Sequence, residues 1–253
     1  MIIDTHTHLY DEETIELQDA HINRAIQAGV HKMYMPNCDS NTIEGMMGIA
    51  QRFPENCFPM MGLHPCYVKE NYKDELAIVE AQLAKNKFSA IGEIGLDFYW
   101  DKTFAHEQKL AFEQQIDWAL AYDLPIVIHS RSSTQECLDI VKRKQNGKLV
   151  AIFHCFSGTP EQAQRVAGLG GYIGIGGVVT FKTSNLPEVL RAVSLENVVL
   201  ETDAPYLAPV PYRGKRNEST YLPLIAQRIA DVYEMPLEAI EKATTANAEK
   251  IFR

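Results

Sequence analysis

The chain has 253 residues, 46% of them hydrophobic and 23% charged, with 24 Lys plus Arg against 33 Asp plus Glu and a formal net charge of −9. The apolar share excludes a disordered chain, and the acidic balance excludes a general electrostatic grip along a nucleic-acid duplex. No run approaches the ~20 apolar residues of a membrane span, and the first residues show no basic or apolar signal segment, so a chain that starts directly in its fold and a cytoplasmic location are expected. The five cysteines, Cys38, Cys57, Cys66, Cys137 and Cys155, are odd in number and include no C-x-x-C pair. They read as small buried residues and not as a disulfide framework or a four-cysteine zinc site.

Eight short apolar runs, most of them rich in Ile and Val, read as strands buried on both faces of a parallel sheet: 2–8, 32–36, 58–63, 90–94, 126–129, 150–154, 172–175 and 198–202. Helical periodicity lies between them. Phe112, Ile116, Ala119 and Leu120 mark one face after Phe104, and Ile140 and Val141 lie in a helix ending near Asn146-Gly147. Thr159-Pro160-Glu161-Gln162 combines a capping threonine, proline at the first helical position and Gln three residues after the cap. Asn185-Leu186-Pro187 opens the next helix, and residues 221–252 read as two or three helices interrupted at Pro236.

Eight β–α alternations in about 250 residues, with no linker or shift of composition, predict an α/β fold: a single (β/α)8 TIM barrel forming one domain over 1–253. A doubly wound open sheet is the alternative. It usually carries a Gly-rich phosphate loop after an early strand, and none follows residues 2–8.

The polar residues of these strands are informative by position. His6 and His8 end the first run, Glu93 lies in the fourth, His129 ends the fifth, His154 the sixth, and Asp203 follows the eighth. Barrel strands bring these ends to one mouth. His6 and His8, two apart on a strand, share a face, so both imidazoles can reach one ion. Four imidazoles and two carboxylates suit Zn, Mn, Fe or Ni better than Ca or Mg. Six ligands exceed what one catalytic zinc takes, so two ions sharing Glu93 divide them sensibly and would activate a trapped water. Asp203 reads as a ligand, as the acceptor of that water's proton, or as both. Asp4 shares strand parity with the histidines and reads either as the acceptor that orients a ligating imidazole or as a structural buried carboxylate.

In order along the chain stand Asp4-Thr5-His6-Thr7-His8-Leu9, Gly62-Leu63-His64-Pro65, Gly92-Glu93-Ile94-Gly95-Leu96-Asp97, Ile128-His129-Ser130-Arg131, His154-Cys155-Phe156-Ser157-Gly158, Glu201-Thr202-Asp203-Ala204-Pro205-Tyr206-Leu207 and Arg213-Gly214-Lys215-Arg216-Asn217. Across essentially its whole length the chain thereby resembles the TatD-like metal-dependent deoxyribonucleases of the amidohydrolase-like barrels. The resemblance implies a single barrel cutting DNA phosphodiester bonds, as an exonuclease, with two divalent ions drawn from Zn, Mn, Mg, Ni or Co. It implies metal ligands His6, His8, Glu93, His129, His154 and Asp203, with Glu93 and Asp203 catalytic. Ser132-Ser133 and Glu218-Ser219 depart from the family's usual continuations near the mouth, which bears on substrate preference.

His64 reads as a donor to a substrate phosphate or as a local backbone cap. Arg131 reads as a bidentate phosphate contact or a rim ion pair. Arg213, Lys215 and Arg216, the densest positive run, read as phosphate contacts, as support for the loop after the eighth strand, or as a solvated face. Phe98, Tyr99 and Trp100 read as base-stacking residues or as a lid over the barrel. His21, His31 and His106 fall beside helices and read as structural. DNA ends or short single strands are the expected substrate, with no membrane, no obligate protein partner and a monomeric state. The alternative function is an amidohydrolase-type enzyme opening a small amide, lactone or phosphoester, since function follows the site and not the fold.

Overall fold

A computed structural model describes residues 1–252. Its strands are β1 (Ile2–Asp4), β2 (Val30–Pro36), β3 (Cys57–Met60), β4 (Ile91–Asp97), β5 (Ile126–Arg131), β6 (Ala151–Phe153), β7 (Tyr172–Ile175) and β8 (Val198–Leu200). The helices are α1 (Ile15–Gln27), α2 (Ile43–Arg52), α3 (Tyr72–Lys85), α4 (Ala105–Tyr122), α5 (Thr134–Lys144), α6 (Pro160–Gly168), α7 (Leu186–Arg191), α8 (Leu222–Tyr233) and α9 (Leu237–Ile251). Thr159 and Gln162 form the expected capping box at the start of α6, and Pro236 separates α8 from α9.

Every strand pair is parallel, in the orders β1-β2-β3 and β4-β5-β6-β7-β8. The two sheets meet at both edges. Met61 bridges Ile91 on one side and Thr7 bridges Ala204 on the other. Backbone hydrogen bonds reinforce both seams, from Met61 N to Ala90 O and Gly92 N to Met61 O, and from Thr5 N to Leu200 O and Asp203 N to His6 O. The interior layer records the closure. Ile3, Tyr34, Met60, Ala90, Val127, Ile152, Tyr172 and Val199, one from each strand or its first flank, form one buried cluster. Ala248 and Ile251 of α9 join it, and Phe252 stacks on Tyr34 with ring centroids 3.8 Å apart. The interior therefore has an apolar floor, sealed by the C-terminal helix. The larger cluster packs the outward faces of the strands against the helices.

Four strands end earlier than expected: β6 stops one residue short, at Phe153, so His154 lies just past it, β8 stops at Leu200 and not at residue 202, and β1 and β3 differ most. β1 stops at Asp4 and not at residue 8, and β3 stops at Met60 and not at residue 63. Past Asp4 the chain alternates partners: Thr5 and His8 donate toward the β8 side while Thr7 donates to Tyr34 O. It stays extended without a regular ladder, and His6 and His8 lie in this stretch. Among the described residues no helix is long and apolar enough to cross a membrane.

Candidate metal centre

The sequence folds a polar mouth above the apolar floor. On β4, Ile91, Ile94 and Leu96 pack in the outer core. The pairing with β5 shifts register between Ile91 and Ile94. That irregularity turns Glu93 to the inner face, which strict alternation with Ile91 would have denied it. Two buried glutamines on α4, seven residues apart and so on one face, hold neighbouring chain segments. Gln115 bonds both N and O of Leu63, beside His64, and Gln108 bonds both N and O of Asp97. Asn217 pins the loop after β8 through Thr202 O and Tyr206 O.

His6, His8, Glu93, His129, His154 and Asp203 converge. Glu93, 2% exposed, stands at their centre. Its Oε2 lies 3.2 Å from His6 Nε2 and 3.8 Å from His8 Nε2. Its Oε1 lies 2.9 Å from His129 Nδ1, 3.0 Å from His154 Nε2 and 3.4 Å from His64 Nε2. Asp203 Oδ1 lies 3.5 Å from His8 Nε2 and 3.8 Å from His6 Nε2. Three groups have ligand atoms close enough to share an ion: His6, His8 and Asp203; His6, Glu93 and His154; and His64, Glu93 and His129.

Neighbours fix which nitrogen faces inward for three of the rings, His8, His129 and His64. The Tyr10 hydroxyl gives its one proton to Pro36 O at 2.5 Å, so it accepts from His8 Nδ1–H at 2.7 Å, and in the neutral ring this leaves His8 Nε2 bare. His129 Nε2–H donates to Asp97 Oδ2 at 2.8 Å and presents Nδ1 to Glu93. His64 is the reverse case. Cys66 N–H donates to His64 Nδ1 at 3.0 Å, so in the neutral ring Nε2 carries the proton. His64 thus offers the mouth a donor and not a lone pair, which separates it from the other imidazoles despite its position.

Burial opposes ionisation of Glu93, but the charges of His154, His64 and His6 and the hydrogen bond to His129 outweigh it and hold the carboxyl well below its usual range. Burial likewise opposes ionisation of Asp203, and the hydrogen bond to His8 with the nearby imidazole charges holds it low. Burial first, then the neighbouring His154, depresses His6. Both ring nitrogens of His6 are buried without a hydrogen-bond partner. A neutral imidazole lone pair facing a carboxylate at 3.2 Å is repelled unless a cation lies between them. The donor set therefore fits a divalent metal of the kind that takes imidazole and carboxylate together.

Asp97 and Glu201, both buried, belong to this centre and were absent from the expected site residues. Asp97 lies on the same strand as Glu93, four residues on. Its Oδ1 also accepts from Tyr99 N and Trp100 N, at 2.9 and 3.2 Å. Glu201 Oε1 lies 3.3 Å from His154 Nδ1 and accepts from Cys155 N at 2.5 Å. A Cβ at Gly174 would fall 2.1 Å from Glu201 Oε2, so glycine makes room for this carboxylate. Their signal lay in the motifs around them: each is an acid within a strand-end segment that already carried a ligand candidate. Asp4 orients no imidazole. It accepts from Thr202 N, Thr202 Oγ1 and the backbone N of His6, tying β1 to the chain just past β8, and burial pushes its carboxyl up to about 7.

The expected substrate contacts divide. Arg131 projects at the mouth two residues past His129, its guanidinium 4.0 Å from the Tyr99 ring centroid. Arg213 lies over Phe181 at 4.4 Å and Lys215 beside Tyr212 at 6.0 Å. Arg216 is engaged with Glu12 Oε1 at 2.7 Å and with Asp11 O, an ion pair across the rim. Of the aromatic trio, Phe98 packs against the core, while Tyr99 and Trp100 are exposed.

A ring of imidazoles and acids at the mouth of a parallel α/β barrel defines the class of barrel metal-dependent hydrolases. Residues 3–253 match the family model described as TatD related DNase, and the chain belongs to that family. It is 36% identical over 254 residues to the uncharacterised metal-dependent hydrolase YabD of Bacillus subtilis, covering 100% of this chain and 99% of that one. It is 32% identical over 257 residues to the 3′-5′ ssDNA/RNA exonuclease TatD of Citrobacter rodentium, covering 99% and 97%. The crystal structure of the TatD homologue YJJV from Escherichia coli superposes with a TM-score of 0.93 at 28% identity, covering 99% and 97%.

Proposed function

We propose that this protein is a two-ion phosphodiesterase that removes nucleotides from the 3′ end of single-stranded DNA. One observation carries the two-ion reading: the oxygens of Glu93 face different imidazoles, Oε2 toward His6 and His8 and Oε1 toward His129 and His154. His6, His8, Asp203 and Glu93 Oε2 would hold one ion, and His129, His154 and Glu93 Oε1 the other. Zn, Mn, Co, Ni and Mg are the ions to test. When bound, such a pair supplies an activated water and draws charge from a phosphoryl oxygen.

The protein's own groups do the rest. Asp203, held low and therefore ionised at neutral pH, accepts the attacking water's proton on its carboxylate. His64 donates from Nε2 to a non-bridging phosphate oxygen, its tautomer set by Cys66. Tyr10 and Asp97 hold His8 and His129 in orientation through hydrogen bonds, and Glu201 places a carboxylate 3.3 Å from His154 Nδ1. Nucleic acid is favoured over a small amide or lactone because the acid on β4 that would bridge the ions is an unmodified glutamate, and because the Citrobacter relative carries an exonuclease name over nearly its whole length.

The test is digestion of end-labelled single- and double-stranded DNA, with RNA, lactones and cyclic amides in parallel, after reconstitution with each ion. A ladder retreating from the 3′ end of single strands is expected. Absence of cleavage with every ion, or cleavage of a lactone alone, would remove this reading.

A further inference from the structure

Five aromatic side chains stand exposed among the described residues: Tyr67, Tyr99, Trp100, Tyr122 and Tyr206. Four of them follow β3, β4 or β8 on the rim that holds the metal centre. Tyr122 alone sits elsewhere, at the C-terminal end of α4, where the chain returns to the opposite end of the barrel. Single exposed aromatics are ordinary, but their concentration on one rim is the kind of patch that marks a binding site.

The sharpest part of this rim is one cluster. Tyr99 is 57% exposed and Trp100 69%, and their rings meet edge to face at 5.0 Å. The Arg131 guanidinium lies 4.0 Å from the Tyr99 centroid and 5.1 Å from that of Trp100. Arg131 has no carboxylate partner among the described residues, in contrast to Arg24, Arg52, Arg143, Arg165 and Arg216. In a chain of net charge −9, a guanidinium left to two aromatic rings remains open to an anion. The cluster is also tied to the centre. The Asp97 carboxylate that accepts from Tyr99 N and Trp100 N through Oδ1 accepts from His129 Nε2 through Oδ2. One acid thus sets both the aromatic turn and a ring of the metal centre.

We infer that Tyr99 and Trp100, with Arg131 laid against them, form a platform that stacks one unpaired base of the substrate strand while Arg131 holds that nucleotide's phosphate. A base has two apolar faces and an adjoining negative charge, and the cluster offers aromatic faces beside a cation. A base held in a duplex has its faces occupied, so the platform selects single strands. This inference rests on the phosphodiesterase reading and assigns its strand selectivity to residues outside the metal centre.

The test compares oligo(dT) with a strand of abasic sites of equal length. Trp100→Ala and Tyr99→Ala should raise KM for oligo(dT) by about 5- to 150-fold with kcat little changed, from the usual strength of one base–aromatic stack. They should leave KM for the abasic strand unchanged, whereas Arg131→Ala should raise KM for both. Tyr122→Ala, an exposed aromatic away from the mouth, should alter neither. Fluorescence supplies a readout independent of turnover. The other tryptophan, Trp118, is buried, so phosphorothioate-linked oligo(dT) should quench the solvent-exposed emission of Trp100 and the abasic strand should not. If wild-type protein degrades no oligonucleotide, the phosphodiesterase reading fails and the platform with it. If it degrades oligo(dT) and the abasic strand with equal KM, or if Trp100→Ala and Tyr99→Ala keep the wild-type KM for oligo(dT), the platform alone is overturned.

Discussion

Replacing Asp203 by Asn separates folding from proton transfer. Asp203 sits in the left-handed backbone region, at φ 58°, where Asn is as well accommodated as Asp and Ala costs about 1–2 kcal/mol. Its backbone contacts, Asp203 N to His6 O at 2.9 Å and Tyr206 N to Asp203 O at 2.8 Å, do not involve the side chain. The variant should therefore melt close to the wild type. What the amide loses is the capacity to take a proton. A positioned general base contributes about 10²–10⁴ in rate, or about 2.7–5.4 kcal/mol of barrier, so single-turnover cleavage of an end-labelled strand should fall by that factor. The amide also remains 3.5 Å from His8 as a weaker partner for a cation, so the rate must be read at saturating metal with bound metal measured by mass spectrometry. Full metal content with wild-type cleavage would refute the proton-acceptor role. A low rate restored by excess metal would reduce Asp203 to a ligand.

Three further outcomes follow from the groups around the centre. Asp97→Asn removes the acceptor that orients His129 at 2.8 Å, and metal affinity measured by calorimetry should fall about 10- to 100-fold; unchanged affinity would show that the ring is oriented by packing alone. Gly174→Ala places a methyl 2.1 Å from Glu201 Oε2 in a buried site. Overpacking of this kind costs about 1–3 kcal/mol, so Tm should drop by about 2–12 °C at this chain length, and an unaltered Tm would contradict the tight fit. Removing bound metal with a chelator should lower Tm as well, by about 5–11 °C for each ion relative to protein held at 100 times the metal Kd. Equal melting with and without chelator would mean that the convergent imidazoles bind no ion strongly.

Much of the fold was legible because a buried parallel sheet leaves a plain record. All eight strand positions, the α6 capping box and the break at Pro236 follow from local rules that tertiary contacts did not override. The ends of β1 and β3 were not legible, since the seams there are made by single bridges whose partners lie far along the chain. The convergence of His6, His8, Glu93, His129, His154 and Asp203 was legible as a pattern of strand ends. The reason for part of it was not. Gly92 is the only local hint of a register shift in Ile91-Gly92-Glu93-Ile94, and without one the alternation that buries Ile91 outward would carry Glu93 outward too.

The same distinction explains why the acids supporting the centre were missed. A ligand candidate can be recognised by residue type and by its place at a strand end. Asp97 and Glu201 differ in kind, because their role depends on which nitrogen of His129 or His154 is turned away from Glu93. The roles of Tyr10 and Cys66 are hidden for the same reason. A hydroxyl committed to Pro36 O leaves His8 Nε2 bare, and a backbone N–H on His64 Nδ1 makes His64 a donor. Sequence assembles the imidazoles at the mouth, but hydrogen bonds from residues of no evident chemistry decide which present lone pairs and which presents a proton. That division lets one cluster of histidines hold cations and also offer a donor to an anionic substrate.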